Sequence, residues 1–304
     1  MTELLQQLPG VRGTYRVNAE LKNWFNVGGR AEILFRPADI NDLRDFLKNC
    51  PKQIPITILG AASNVIICDE GVRGVVIRLP GEFSKIFCEG DLVKVGAAAL
   101  CGNVALHGRD SEIGNLEFLT GIPGSIGGAI AMNAGCYGSD ISQILISASA
   151  IDFAGNVIEF KNHEFDFFYR GSELVKNSKE RFFGGLVFVE AVLQGKKSTS
   201  EIISQKILEL NKQREAAQPI RAKTGGSTFK NLVDSERKAW QLIDDAGCRG
   251  MVEGDAQMSE KHCNFMINRG KASAKNLVDL VSKVQKLVRE SSGVDLVMEI
   301  KVIK

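Results

Sequence analysis

Residues 114–138 read GNLEFLTGIPGSIGGAIAMNAGCYG, and this stretch limits the fold more than any other part of the chain. It carries seven of the 31 glycines in 25 positions, and no charged side chain occurs between Glu117 and Asp140. Along Gly121-Ile122-Pro123-Gly124-Ser125-Ile126-Gly127-Gly128 a glycine or proline recurs where a backbone turns tightly or approaches another group closely. The run passes into Ala129-Ile130-Ala131-Met132, which reads as the first turns of a helix. A glycine loop entering a helix directs unpaired backbone N–H groups at one place, and that place suits a phosphate. With no Lys or Arg in the run, an anion here would be held by backbone dipoles. A tight glycine-rich crossing inside a core is the alternative. The glycines, Pro123, Ser125 and Asn133 exclude a sustained apolar helix, and with it a membrane span. The spacing makes neither GxGxxG nor GxxxxGK[ST], so this is a nucleotide-type loop of another kind.

The rest of the composition narrows the function classes. A chain of 304 residues has room for two or three domains. A formal net charge of +2 gives no global attraction to nucleic acid, so an anionic ligand must meet a local site. The N-terminus, MTELLQQLPGVRG, lacks a basic region followed by an apolar core, and no secretory signal is expected. The seven cysteines are odd in number, never closer than 13 residues and form no CxxC. That pattern predicts no metal site and reduced thiols in a cytosol. Cys136, beside the glycine stretch, reads as a small buried thiol, with a reactive one as the alternative.

In chain order, a polar start precedes Asn23-Trp24-Phe25-Asn26-Val27-Gly28-Gly29 and a strand at 31–36 stopped by Pro37. Asp39 is placed to cap a helix with Ile40, Leu43, Phe46 and Leu47 on one face. Strands follow at 56–59, 75–79 and 92–95. The turn Gly60-Ala61-Ala62-Ser63-Asn64 is a second place where a ligand meets backbone, or else a side-chain-capped turn. A helix at 99–113, a hairpin of strands at 144–151 and 157–160, and a strand at 186–193 come next. The polar run 195–199 reads as a domain boundary before a helix at 200–217. Past the polar stretch 218–231, a short helix at 239–246 is closed by Gly247. Ser273 caps a long helix with Leu277, Leu280, Val281, Val284, Leu287 and Val288 on one side, ended by Gly293. Residues 295–303 alternate as one strand, with Glu299 and Lys301 on the same face.

Four motifs follow one another in the first half of the chain: Asn-Trp-Phe-x-Val-Gly-Gly at 23–29, Leu-Gly-x-x-Ser-Asn at 59–64, Gly-Ile-Pro-Gly-Ser-Ile-Gly-Gly at 121–128 and Met-Asn-Ala-Gly at 132–135. Tyr-Arg-x-Ser at 169–172, Gly-Ser-x-Phe-Lys-Asn at 226–231 and Glu-x-Lys at 299–301 complete the set. In this order they resemble the motifs of the UDP-N-acetylenolpyruvoylglucosamine reductases, flavoenzymes of peptidoglycan precursor synthesis. The resemblance implies an α+β fold: a two-part FAD-binding domain of the p-cresol methylhydroxylase (vanillyl-alcohol oxidase) type, then a smaller C-terminal α+β substrate domain. Its expected limits are an N-terminal extension over 1–22, an FAD-binding domain over 23–195 (subdomains at about 23–80 and 81–195) and a substrate domain over 196–304. The 56 residues between Arg170 and Ser227 match the shorter class of the family, which lacks the lid loop with a substrate-capping tyrosine.

The same resemblance implies the chemistry. NADPH would reduce non-covalent FAD, and hydride would pass to the enolpyruvyl group of the UDP-sugar, giving UDP-N-acetylmuramate. Arg170 and Glu299 match the pair that polarises the substrate, and Ser227 matches the proton donor. A guanidinium stays charged and grips a carboxylate with two bonds. A serine hydroxyl is a weak acid and needs a strongly basic carbanion in reach. A glutamate that is to favour an enolate must be protonated or held by hydrogen bonds, which burial favours. Asn231, Lys301, Lys223, Lys230 and His262 are the substrate-binding candidates. Ser63, Asn64, Gly124, Ser125, Gly127, Gly128 and Asn133 are the FAD candidates, and no metal is expected. The expected protein is a cytoplasmic monomer with no nucleic-acid or membrane partner. Three positions depart from the family: Ala62 replaces a usual glycine, Leu232 a usual proline, and Cys136 a usual Ala or Ser. Two alternatives stay open on the sequence, a flavin oxidase of the same fold acting on a small alcohol or sugar lactone, and a non-catalytic nucleotide-binding module.

Overall fold

The computed structural model describes residues 3–178, 185–233 and 235–304; the first two residues of the expected N-terminal extension lie outside it. The chain divides into two units that interleave along the sequence. The first contains Met1–Ala19, Ala31–Ala61 and Arg73–Lys212, and the second Glu20–Arg30, Ala62–Val72 and Gln213–Lys304. The division is therefore not the linear one expected at 195/196. Within the polar run 195–199, Lys196–Lys197 pair with Ile113–Gly114 inside the first unit. The limit falls instead within the helix Ser200–Ala217.

In the first unit, a four-stranded sheet has the order Thr14–Glu20, Arg30–Arg36, Val72–Ile77, Ile56–Ile58. Its first strand was not foreseen. It is an edge strand whose apolar face, Tyr15, Val17 and Ala19, is short and only partly covered, and Asn18 at φ 51° interrupts its extended backbone. The helix Ile40–Asn49 covers this sheet with Leu43, Phe46 and Leu47, while Ile40 stays exposed. Asp39 caps it as expected, accepting from Asp42 N at 3.0 Å. The Asp42 carboxylate, itself buried, accepts the backbone N–H groups of Arg12 (2.7 Å), Gly13 (2.9 Å) and Ala38 (2.9 Å), which fastens the N-terminal segment to this helix.

A second, antiparallel sheet runs Val157–Lys161, Leu145–Asp152, Leu186–Gln194, Leu92–Gly96, Ile86–Glu89. The helices Cys101–Asp110 and Ile126–Met132 bury Val104, Ala105, Ile126, Ala129 and Ile130 in one cluster with Val93, Val95, Ala148 and Leu193 of this sheet.

The second unit holds the sheet Lys223–Ser227, Phe265–Asn268, Ala256–Met258, Val252–Glu253. The helix Ala274–Ser292 buries Leu277, Leu280, Val281, Val284 and Val288 against it. At ~1.5–3 kcal/mol per buried side chain, this face is a main source of the unit's stability. The expected Ser273 cap and Gly293 stop are both present, with Gly293 at φ 71°. Asp69 adds a second cap, accepting Ala274 N (2.9 Å) and Lys275 N (3.1 Å), and so ties the segment Ala62–Val72 into this unit. The strand Val65–Ile67 pairs in parallel with Lys301–Ile303.

The expected single strand over 295–303 is two pieces with different partners. Residues 297–299 pair with 228–230, through Lys230 N to Val297 O (2.8 Å) and Glu299 N to Thr228 O (2.9 Å), and 301–303 pair with 65–67. The alternation slips where the partner changes: Ile300 and Ile303 are both buried, and Val302 is exposed. Among the described residues no helix is long and apolar enough to cross a membrane, and no cluster of His, Cys, Asp and Glu is fit to hold a metal.

Ala62, the departure from a usual glycine, sits in the left-handed region at φ 55°. An alanine pays ~1–2 kcal/mol there, against ~0.4–1 kcal/mol of unfolded-state entropy that a glycine would lose. Ala62→Gly is therefore expected to raise stability by up to ~1 kcal/mol, read as a higher urea midpoint; a lower midpoint would show that the Ala62 side chain packs well enough to offset its backbone strain.

Candidate active site

The strand Lys223–Ser227 contains no apolar residue, and the structure shows what makes it a strand. Lys223 and Thr224 are in register with Asn268 and Ile267, and the ladder then slips so that Ser227 opposes Phe265. Gly225 and Gly226 form that bulge. Gly226 has φ 84°, and a Cβ on Gly225 would lie 2.4 Å from the Phe25 ring, so neither position accepts a side chain without a shift. A bulge re-aims the residue that follows it, here Ser227.

Past Ser227 the backbone is held on both sides. Asn264, buried, donates through Nδ2 to Phe229 O (2.9 Å) and accepts through Oδ1 from Phe229 N (3.0 Å). Asn264 O accepts from Thr228 N at 2.7 Å, and Thr228 Oγ1 accepts from Met266 N at 3.1 Å. On the other side Thr228 O and Lys230 N pair with 299 and 297. Ser227 and Glu299 thus stand at one end of a short antiparallel ladder. Thr228 and Asn264 were not chosen from the sequence. The signals were there, in the 226–231 motif and in His-x-Asn-Phe at 262–265, but a buried amide is recognised only by the peptide it holds.

Glu299 is fixed a second time by Asn64, whose Nδ2 donates to Glu299 O (3.2 Å) and whose O accepts from Lys301 N (3.1 Å). Asn64, an FAD candidate on the sequence, has its side-chain NH2 turned to the backbone that carries Glu299. Glu299 and Ser227 are both half-buried, while Lys223 and Lys301 are exposed. Asn231 accepts Ala239 N at 3.1 Å and so caps the helix Ala239–Asp245. His262 Nδ1 accepts from Asn264 N at 3.3 Å, which leaves its proton on Nε2. Burial holds its pKa below the ordinary histidine value, with the nearby Arg249 charge acting in the same direction.

Arg170 belongs to the first unit. It takes φ 59° at the tip of the hairpin Phe167–Phe168 with Gly171–Ser172, and its guanidinium lies 5.2 Å from the Tyr169 ring centre. In the same unit the glycine stretch is crossed closely by its neighbours: a Cβ on Gly60 would come within 2.5 Å of Ser125 Oγ, and one on Gly127 within 3.0 Å of Ala97 Cβ. The turn after Ile56–Ile58 and the glycine stretch, two ligand candidates on the sequence, therefore meet at Gly60 and Ser125.

One detail of the loop is corrected. The first two helical N–H groups, Ile126 and Gly127, are used by Ala99 O (2.9 Å) and Ala97 O (2.8 Å) and do not face a ligand. Gly128 is exposed at the third helical position, and Ser125 is the buried polar residue before the helix. An uncharged loop with an exposed glycine at a helix start fits a cofactor held through its backbone. Cys136 donates to Phe118 O at 3.1 Å, and the neighbouring Cys101 thiol is pushed up to about 12 by burial.

Residues 218–303 match the family described as UDP-N-acetylenolpyruvoylglucosamine reductase, C-terminal domain, and residues 31–161 match the FAD binding domain family. The chain is 48% identical over 294 residues to the UDP-N-acetylenolpyruvoylglucosamine reductase of Gluconobacter oxydans, covering 96% of this chain and 93% of the other. It is 46% identical over 300 residues to that of Parvibaculum lavamentivorans, covering 98% and 94%. It belongs to the UDP-N-acetylenolpyruvoylglucosamine reductase family. The crystal structure of the Thermus caldophilus reductase superposes with a TM-score of 0.81 at 30% identity, over 97% of this chain and 100% of that one. The α+β fold with an FAD-binding domain of the p-cresol methylhydroxylase type, expected from the motifs, is the fold found.

The His262 pKa lies below its unfolded value, so as pH falls the unfolded chain takes up the proton first. Its contribution to stability is present above the ordinary histidine value of 6.5 and is lost as pH falls from there through the depressed folded value. Between about pH 7.5 and 5.5, the wild-type melting temperature is expected to fall further than that of His262→Gln; parallel curves would mean that His262 titrates as it does in water.

Proposed function

We propose that this chain reduces the enolpyruvyl group of UDP-N-acetylglucosamine enolpyruvate to UDP-N-acetylmuramate with NADPH, in peptidoglycan precursor synthesis. What carries this reading is the match over nearly the whole chain to reductases of that name, with Ser227 and Glu299 at one end of a single ladder. FAD, when bound, supplies the hydride carrier between NADPH and the double bond. Gly128 and Ser125 would hold it at the helix start, with Ser63 as a further contact, while Gly124 and Gly127, whose N–H groups are bonded to Ile122 O and Ala97 O, shape the loop; no thiol is assigned a covalent link. Most of the residues assigned to the cofactor lie in the first unit, and most of those assigned to the UDP-sugar in the second.

Hydride addition to the terminal carbon leaves negative charge on the carbon next to the substrate carboxylate. In this reading Arg170 grips that carboxylate and draws charge onto it, and Glu299 favours the enolate form through a proton or its hydrogen bonds. Ser227 Oγ then donates the proton that ends the step. Lys223, Lys230, Lys301, Asn231 and His262 bind the nucleotide sugar. Three of these five are cations, which suits a diphosphate, and Asn231 also orders the helix that follows it. The working unit is a monomer in the cytoplasm.

Ser227→Ala separates the steps. Because Ser227 acts only on the substrate carbanion, NADPH is expected to bleach the flavin at close to the wild-type rate. Reoxidation by the enolpyruvyl substrate is expected to slow by roughly 10²–10⁴-fold, the usual worth of a positioned proton donor. Equal slowing of both steps in stopped flow would make Ser227 a structural residue.

A further inference from the structure

Asn133 ends the short helix Ile126–Met132 in the left-handed conformation, φ 44°, and is 4% exposed. Both ends of its amide are committed within the first unit. Oδ1 accepts from Ser142 N at 3.0 Å, and Nδ2 donates to Phe168 O at 3.1 Å. Phe168 is the last strand residue before Tyr169 and Arg170, which form the two-residue connection to Gly171.

That connection is strained. Arg170 holds φ 59°, a conformation that is unfavourable for a non-glycine residue and persists only where its surroundings over-determine it. A ladder of two residue pairs is not stable alone, so the hairpin takes its shape from bonds outside itself. Its outgoing strand is anchored by Ser172, buried, which caps the helix Glu173–Asn177 through Val175 N at 3.3 Å. Glu173 N to Asp166 O (3.1 Å) and Leu174 N to Phe165 O (3.2 Å) reinforce that side. Gly171 allows the close pairing, since a Cβ there would lie 2.6 Å from the Phe168 ring. The incoming strand is held at Phe168 by Asn133.

We propose that Asn133 is a positioning residue for Arg170: its amide pins the Phe168 carbonyl and so keeps the hairpin tip in the strained form that aims the guanidinium. The side chain of Asn133 then serves the substrate step and not cofactor binding, where the sequence had placed it. This inference rests on the role of Arg170 given above.

The test uses the FAD-loaded enzyme. Asn133→Gly removes the amide, and glycine accepts the left-handed helix end; Asn133→Asp keeps size and the bond from Ser142 N but replaces the donor with a carboxylate oxygen. Both variants are expected to retain wild-type FAD content and a wild-type rate of reduction by NADPH. Reoxidation by the enolpyruvyl UDP-sugar is expected to slow on the order of 10–100-fold, the scale of a small misplacement of a catalytic group. Combining Asn133→Gly with Arg170→Lys is expected to slow reoxidation no more than Arg170→Lys alone, because both changes spoil one interaction. Wild-type reoxidation in the Asn133 variants, fully multiplicative effects in the double variant, or loss of FAD would each overturn the proposal. An Arg170→Lys enzyme that reoxidises normally would overturn the role of Arg170 and this inference with it, whereas slow Arg170→Lys beside normal Asn133 variants would overturn this inference alone.

Discussion

A single buried amide, that of Asn264, holds both the N–H and the C=O of Phe229, and the placement of Ser227 and Glu299 follows from it. In a regular sheet those two groups would pair with a neighbouring strand. Here one side chain replaces that strand, because the bulge at Gly225–Gly226 has already broken the register with Phe265–Asn268. The other side of the same segment remains free to pair with residues 297–299, which brings Glu299 beside Thr228 and next to Ser227. Removing the Asn264 amide would leave two buried peptide groups unsatisfied, at ~1–3 kcal/mol each. The clamp therefore stabilises the fold and fixes the segment that carries Ser227 at once.

The same device recurs on other residues. Asn64 fixes the backbone of Glu299, Asn23 takes Val27 N (3.0 Å) and reaches Val65 O (3.2 Å), and Asn268 reaches Phe25 O (2.9 Å). Asparagine suits this work because it offers an acceptor and two donors on a short, uncharged side chain. Such clamps allow irregular backbone to stay rigid where a sheet or helix would leave no room for a ligand. Arg170 in the hairpin tip and Ala62 before Ser63-Asn64 both take the left-handed backbone region, which such clamps help to hold.

The helix Ala274–Ser292 was legible end to end, because its apolar spacing, its Ser273 cap and its Gly293 stop are all local signals. The hairpin of Leu145–Asp152 with Val157–Lys161 was legible for the same reason. The edge strand Thr14–Glu20 was not, since its apolar residues are few and only partly covered, nor was Lys223–Ser227, which carries no apolar face and exists through a partner distant in sequence. The interleaved units were hidden likewise: Asp69 belongs with a helix that starts 205 residues later, through a bond no local pattern announces. At the proposed site, the motifs name residues but do not tell a ligand contact from a clamp. Asn133 and Asn64 were assigned to the cofactor by motif, while the bonds they make run to Phe168, 35 residues away, and to Glu299, 235 residues away.

The account stands or falls on the acceptor of the electrons. Purified protein, reduced under nitrogen with one equivalent of NADPH, should be reoxidised by UDP-N-acetylglucosamine enolpyruvate with formation of one equivalent of UDP-N-acetylmuramate. Reduced protein that ignores the enolpyruvyl sugar and recovers its oxidised spectrum only when oxygen is admitted would be an oxidase, and would contradict the account.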